Sequence, residues 1–205
     1  MFFLLCNPCN PTGYVYSQEE IINIANLAKK NDLFIVVDEV YREFIYTDTK
    51  HFSILEDEKF FENAILIDST SKRYSLCGAR VGFIVSKNSE FIQTCLKFAL
   101  TRLSPPTLAL IAANHALNSR EEYIENVIKE YYKRREVIIN ELSQIDNIKF
   151  SNPMGAFYSI IKLPIENAED FAKFLLTDFS YKNQSVMLSP CLLYTSPSPR
   201  DDSQS

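Results

Sequence analysis

Three short apolar runs in this sequence each give way to a polar cluster, and that recurrence limits the possible fold more than any other feature. Residues 2–5 lead into Asn7-Pro8-Cys9-Asn10-Pro11-Thr12-Gly13, residues 34–37 into Asp38-Glu39-Val40-Tyr41, and residues 64–68 into Ser69-Thr70-Ser71-Lys72. Such runs, rich in β-branched and aromatic residues, read as buried strands. A fourth run covers 81–85. Between the first two, a helix is predicted over 18–30, announced by Ser17 with Glu20 three residues later, the pattern of a reciprocal cap. Alternating strands and helices predict an α/β fold, a mostly parallel sheet flanked by helices. In open sheets of this kind ligands gather at the carboxyl ends of the strands, so all three clusters belong at one edge.

Beyond residue 85 the pattern turns helical, over about 89–103, 106–118 after the Ser104-Pro105-Pro106 break, and a charged stretch of about 121–145. Ile124, Val127, Ile128 and Tyr131 recur in that stretch at helical spacing, which suits a connector between domains. Strands over 148–151 and 156–162 and a helix over 168–179 then read as the beginning of a small α+β domain. The expected organisation is a partial large domain over 1–120, a connecting helix over 121–146, a partial small domain over 147–190 and a non-native tail over 191–205. The tail lacks any apolar period, and its string CLLYTSPSPRD resembles a translated adapter from DNA library preparation. The strand at the N-terminus opens directly into the Asn7–Gly13 loop, without the preceding strands and helices that such a sheet normally needs, and the chain reads as a fragment at both ends.

Composition excludes several function classes. The net charge is -5, and losing the tail's Arg200, Asp201 and Asp202 changes it by a single unit, so nothing suggests binding to a phosphate backbone. No run approaches the roughly 18 apolar residues of a membrane span, and the expected location is the cytoplasm. Five cysteines, one of them the tail's Cys191, argue for reduced thiols. Cys6 and Cys9 form a C-x-x-C, but with no second such pair and with His51 and His115 off ligand spacing, no metal site is expected.

Each cluster has a plain reading and a chemical one. The Asn7–Gly13 segment can be simply a rigid turn. Asp38 can be a helix N-cap, although a carboxylate at a buried strand end calls for a cation or donors to meet it. Lys72 can sit in a solvated loop, yet Ser69, Thr70 and Ser71 precede it and Gly78 and Arg80 follow, a set of hydroxyls, backbone N–H groups and one guanidinium suited to phosphate. Taken together, in order and spacing, the clusters resemble the fold-type I pyridoxal-phosphate enzymes of the aspartate aminotransferase superfamily, with N-P-x-N-P-T-G matching the loop of class I and II aminotransferases. Tyr41-Arg42-Glu43-Phe44 and Met154-Gly155-Ala156-Phe157-Tyr158 look like bacterial members classed as aspartate aminotransferases.

The resemblance implies a role for each position. Lys72 would form the Schiff base with the aldehyde of pyridoxal 5'-phosphate and later act as general base at the substrate α-carbon. Asp38 would hold the ring nitrogen protonated. Asn10 and Tyr41 would bond the ring oxygen, while Ser69, Ser71 and Arg80 would bind the phosphate. It implies amino-group exchange between an amino acid, with aspartate as the preferred donor, and a 2-oxo acid, in a homodimer when full length. Further phosphate ligands, a ring stacked on the cofactor and the arginine for the substrate carboxylate would lie outside this sequence, leaving the chain by itself inactive and poorly folded. Two other readings share the same clusters: a lyase using the same cofactor, and the aminotransferase-like sensor half of a transcription regulator.

Overall fold

A computed structural model describes residues 1–118 and 121–190, so the non-native tail expected over 191–205 lies outside the described residues. The chain divides into two compact units, Met1–Ile161 and Lys162–Ser205. Strands β1 (Phe2–Cys6), β2 (Phe34–Asp38), β3 (Ala64–Ser69) and β4 (Gly82–Val85) form one sheet in that order. β1, β2 and β3 run parallel, whereas β4 is antiparallel to β3. The connections explain the directions. Helix α1 (Gln18–Lys30) carries the chain back between β1 and β2, and the β2–β3 crossing holds the 3-10 turns Ile54–Glu56 and Glu58–Phe60. Parallel neighbours require such long returns. From β3 the chain passes only a 3-10 turn, Cys77–Ala79, and comes back antiparallel.

Period-two alternation assigns the two faces of the central strand. Ile35 and Val37 are buried in a core with Leu5, Ile21, Ala25, Ala28, Phe52, Ile54, Phe60, Ala64 and Leu66, while Phe34, Val36 and Asp38 are half-buried on the other face. Helix α1 supplies Ile21, Ala25 and Ala28 to that core, one apolar stripe at helical spacing. Its start is secured by the cap expected from the sequence. Glu20 N–H donates to Ser17 Oγ at 3.2 Å, and Ser17 N–H donates back to Glu20 Oε2 at 2.8 Å. Ser17→Ala removes the acceptor for the Glu20 amide, with an expected loss of about 1 kcal/mol in urea unfolding of the full polypeptide that carries this chain.

Helices α2 (Ser89–Thr101), α3 (Thr107–Leu117) and α4 (Glu121–Leu142) follow. The break between α2 and α3 falls at the two prolines, which cannot extend a helix from within. Val127, Ile128 and Tyr131 of α4 pack on a second cluster formed by Val40, Tyr41, Phe44 and Ala156, joined by Phe157 and Tyr158. Strand β5 (Lys149–Phe150) pairs with β6 (Ile161–Lys162). The strand expected over 156–162 is therefore confined to its end. Ala156 has φ +57°, and its N–H donates to the Phe44 carbonyl at 2.9 Å, so the chain turns there instead of extending. In the second unit, α5 (Ala168–Thr177) is capped by the Asn167 side chain and buries Ala172 and Leu175. Among the described residues no helix is long and apolar enough to cross a membrane.

Candidate active site

Strand register determines where the polar clusters meet. Cys6 is paired with Asp38, Asp38 with Ile67, and Ser69 with Gly82. The carboxyl ends of three parallel strands and the start of β4 thus share one edge. Backbone bonds continue the alignment past the strands, from Asn7 N–H to the Asp38 carbonyl and from Glu39 N–H to the Ile67 carbonyl, each at 2.9 Å. The loop bearing Asn10, the turn Asp38–Tyr41, the loop Ser69–Lys72 and the approach through Arg80 all open from this edge.

Asp38 is half-buried, and its Oδ1 accepts the Val40 N–H at 3.1 Å. Burial pushes its carboxyl above the usual range, Asp68 and Glu39 push the same way, and the Val40 bond and the Lys72 charge oppose them. Lys72 Nζ stands 5.7 Å from the centre of the Tyr41 ring and 5.8 Å from that of Phe157. The Tyr41 and Tyr158 hydroxyls lie 2.5 Å apart. Burial, followed by that bond, raises the Tyr41 pKa, so this phenol stays protonated at neutral pH and can donate. A primary amine, two aromatic faces and a phenol pair thus stand together at the sheet edge.

Ser69 and Ser71 lie partly open beside Lys72, with their hydroxyls 2.7 Å apart, and the Ser71 N–H donates to Ser69 Oγ at 3.1 Å. Arg80 is exposed, adopts φ +58° and donates from Nη1 to the Cys77 carbonyl at 2.9 Å. Asn10 is exposed, and its backbone N–H rather than its amide makes the local contact, to Cys6 Sγ at 3.5 Å. Burial raises the Cys6 thiol to about 11, which keeps it protonated and unreactive.

The loop that carries Asn10 is held from a distant part of the chain. Gly13 O accepts the N–H groups of Met154 and Gly155, both at 2.8 Å. Gly13 has φ +71°, and a Cβ there would stand 2.3 Å from Pro153 Cβ. Gly155 is as closely fitted, since a Cβ would stand 2.7 Å from the Phe44 carbonyl oxygen and 2.9 Å from Pro8 Cβ. Gly13→Ala is expected to cost about 3 kcal/mol in urea unfolding of the full polypeptide, combining overpacking with left-handed strain.

Sequence reasoning gave no role to several residues that the structure brings to this site. Arg42, Glu43, Phe157 and Tyr158 figure there only as part of a resemblance, and Glu39 only as a neighbour of Asp38. Arg42, Glu43, Asp68 and Arg73 form a four-charge network behind Lys72. Glu39 is wholly buried and accepts from Ser53 Oγ at 2.9 Å and Ile54 N–H at 3.0 Å, with His51 Nε2 3.0 Å away. Alternation along the chain sends Asp38 to the open face and its neighbour Glu39 into the protein.

Known proteins resemble this chain in sequence and in fold. The chain is 34% identical over 184 residues to an aspartate aminotransferase of Bacillus sp. strain YM-2, covering 85% of this chain and 47% of that protein. It is 35% identical over 158 residues to an aspartate aminotransferase of Pyrococcus abyssi, covering 76% of this chain and 40% of the relative. Among solved structures, an aromatic aminotransferase from Pyrococcus horikoshii superposes with a TM-score of 0.77 at 31% identity, over 85% of this chain and 48% of that one. The chain thus spans less than half the length of each of these proteins. Residues 1–187 match the family model for aminotransferase class I and II, and the chain belongs to that family.

Proposed function

We propose that this chain forms the cofactor-holding part of an aminotransferase that uses pyridoxal 5'-phosphate to move an amino group between an amino acid and a 2-oxo acid. The observation that carries this reading is the Lys72 amine, standing against the Tyr41 and Phe157 rings at the edge that also bears Asp38. The residues present suit the cofactor at both ends. Asp38 is a carboxylate raised by burial whose one described side-chain bond is to the Val40 amide, and a protonated ring nitrogen is the donor and positive charge that such a group lacks. At the other end, the Ser69 and Ser71 hydroxyls and the Arg80 guanidinium offer the neutral and charged donors that a phosphate takes.

When bound, pyridoxal phosphate supplies an aldehyde that captures an amine and a cationic ring that draws electrons from the substrate α-carbon. The protein's own residues hold, orient and move protons. Lys72 Nζ would be the amine that holds the aldehyde, and as a free amine it would serve as the base that moves the substrate α-proton. Asp38 would keep the ring nitrogen protonated. The Tyr41 hydroxyl and the Asn10 amide would bond the ring oxygen, and Phe157, edge-on to Tyr41, flanks the amine. Aspartate is the preferred donor, on the strength of the relatives' names. With the family comes the expectation of a homodimer in the cytoplasm. In the same reading, residues 1–120 belong to the large domain, 121–146 to the connecting helix and 147–190 to the small domain, with the remaining substrate contacts supplied from outside this chain.

Borohydride reduction tests the assignment directly. The full polypeptide is incubated with pyridoxal phosphate, reduced and mapped by peptide mass, and the adduct is expected on Lys72, together with amino transfer from aspartate to a 2-oxo acid. An adduct spread over surface lysines, with Lys72 unmodified, would overturn it.

A further inference from the structure

We infer that Arg73 is a positioning residue for Lys72: its guanidinium, Nη2 on both Asp68 oxygens and Nη1 on Glu43, closes the loop 68–73 and so fixes the backbone from which the Lys72 amine is presented. This rests on the proposed role of Lys72. Arg73 Nη2 lies 2.7 Å from Asp68 Oδ1 and 2.6 Å from Oδ2, and the two side chains are 6% and 9% exposed as whole residues. The pair joins the first and last residues of the loop. Between them lie Ser69, Ser71 and Lys72, the residues assigned to the phosphate and the aldehyde.

The same carboxylate organises the loop from within. Asp68 Oδ1 also accepts the Ser69 N–H at 2.7 Å, Ser69 Oγ in turn accepts the Ser71 N–H at 3.1 Å, and Ser69 Oγ donates to the Val81 carbonyl at 3.0 Å. A second anchor ties the loop to the turn that carries Tyr41. Arg73 Nη1 meets Glu43 Oε1 at 2.9 Å, and Arg42 meets both acids, Glu43 at 3.1 Å and Asp68 at 3.3 Å. The network is electrically balanced, two guanidiniums against two carboxylates, which is what burial demands of charges. Adjacent residues therefore divide the work. Arg73 is sunk into the protein and cannot swing, and Lys72 inherits its backbone placement while keeping a mobile side chain. The Arg73 fork also offsets the Asp68 charge, one of those that push the Asp38 carboxyl upward.

Lysine in place of Arg73 keeps the charge but cannot span both Asp68 oxygens and Glu43 in one plane. Arg73→Lys and Asp68→Asn are made in the full polypeptide, and attachment of pyridoxal phosphate at Lys72 is timed by borohydride quenching and intact mass, alongside kcat, KM and thermal unfolding. Displacement of a reacting amine by about 1 Å predicts a fall of about 100-fold in kcat with little change in KM, and attachment slowed in parallel. Folded variants with a lower melting temperature but wild-type attachment and kcat would reduce Arg73 to a structural residue and overturn the proposal. Should Arg73→Lys not fold, Asp68→Asn decides. Hydrogen exchange in the wild type decides independently: the Ser71 amide, beyond the end of β3, is expected to exchange as slowly as those of β3, and exchange at open-loop rates defeats the clamp. Absence of any adduct on wild-type Lys72 would instead defeat the functional reading, leaving the exchange measurement to report on the loop alone.

Discussion

Lys72→Ala is expected, on the proposed role of this amine, to abolish the visible absorbance of lysine-bound pyridoxal phosphate and to lower amino transfer by at least about 10⁴-fold, since general-base work alone is worth about 10²–10⁴ and attachment is lost with it. The fold is expected to survive. Lys72 is only partly buried, and its described aromatic contacts, at 5.7 and 5.8 Å from ring centres, are worth about 0.5–2 kcal/mol as cation–π interactions. Activity and stability therefore separate in this variant. Absorbance spectra, single-turnover assays and thermal unfolding of the full polypeptide provide the check, and retained yellow colour with retained turnover would mean that another amine does this work.

The expected contrast with Arg73 follows from burial. Removing one partner of a buried charge pair leaves the other uncompensated and costs about 3–5 kcal/mol, so Arg73→Ala damages the fold itself. That is why the positioning test relies first on lysine, which keeps the charge, with Asp68→Asn keeping the shape of the acid. Lys72 and Arg73 are neighbours in sequence with opposite signatures, one expected to lose chemistry with its fold intact, the other to lose stability as well.

Much of the sheet edge was legible in the sequence because chemistry and strand pattern coincide there. An apolar run followed by Asp38, or by Ser69-Thr70-Ser71-Lys72, specifies both a strand and the edge at which its residues emerge, and the structure adds the register, Cys6 with Asp38 and Ser69 with Gly82. Ser17 and Glu20 were legible for the same reason, since a cap is local. What escaped is long-range or aperiodic. The Tyr41–Tyr158 contact joins residues 117 apart. The Asp68–Arg73 pair bridges a loop, where no helix or strand period marks its partners. Gly13 meets Pro153, Met154 and Gly155 across most of the first unit, so its glycine could be read as a turn residue but not as a packing one. Residues 156–160 look like a strand by composition, and only the left-handed turn at Ala156 forbids it. Arg80 and Asn10 are exposed and bonded locally, so their assignment to the cofactor still draws on the motif.

Asp38→Asn is expected to move catalysis and stability in opposite directions. Without a carboxylate facing it, the cofactor's ring nitrogen loses its proton at neutral pH, and kcat falls by about 10²–10³-fold, the usual scale for deleting one fixed electrostatic partner of a developing charge. The protein without cofactor behaves otherwise. Burial holds the Asp38 carboxyl above its unfolded value, which means the folded state binds this proton more tightly than the unfolded chain does. Its contribution to stability is then largest at low pH, with the carboxyl protonated, declines as pH rises from the unfolded value through the folded one, and stays lower above it. Asparagine carries no charge to desolvate and accepts the Val40 N–H through its carbonyl oxygen. The cofactor-free variant should therefore melt above the wild type at pH 7, with the gap closing as pH falls through the carboxylate range. Saturating pyridoxal phosphate should reverse the order, because ligand that binds the folded wild type more tightly stabilises it more. Thermal unfolding at pH 7 and pH 4, with and without cofactor, gives four comparisons from one pair of proteins. If the cofactor-free variant melts below the wild type at pH 7, Asp38 is held by partners that already satisfy its charge, and its part in binding the ring nitrogen must be given up.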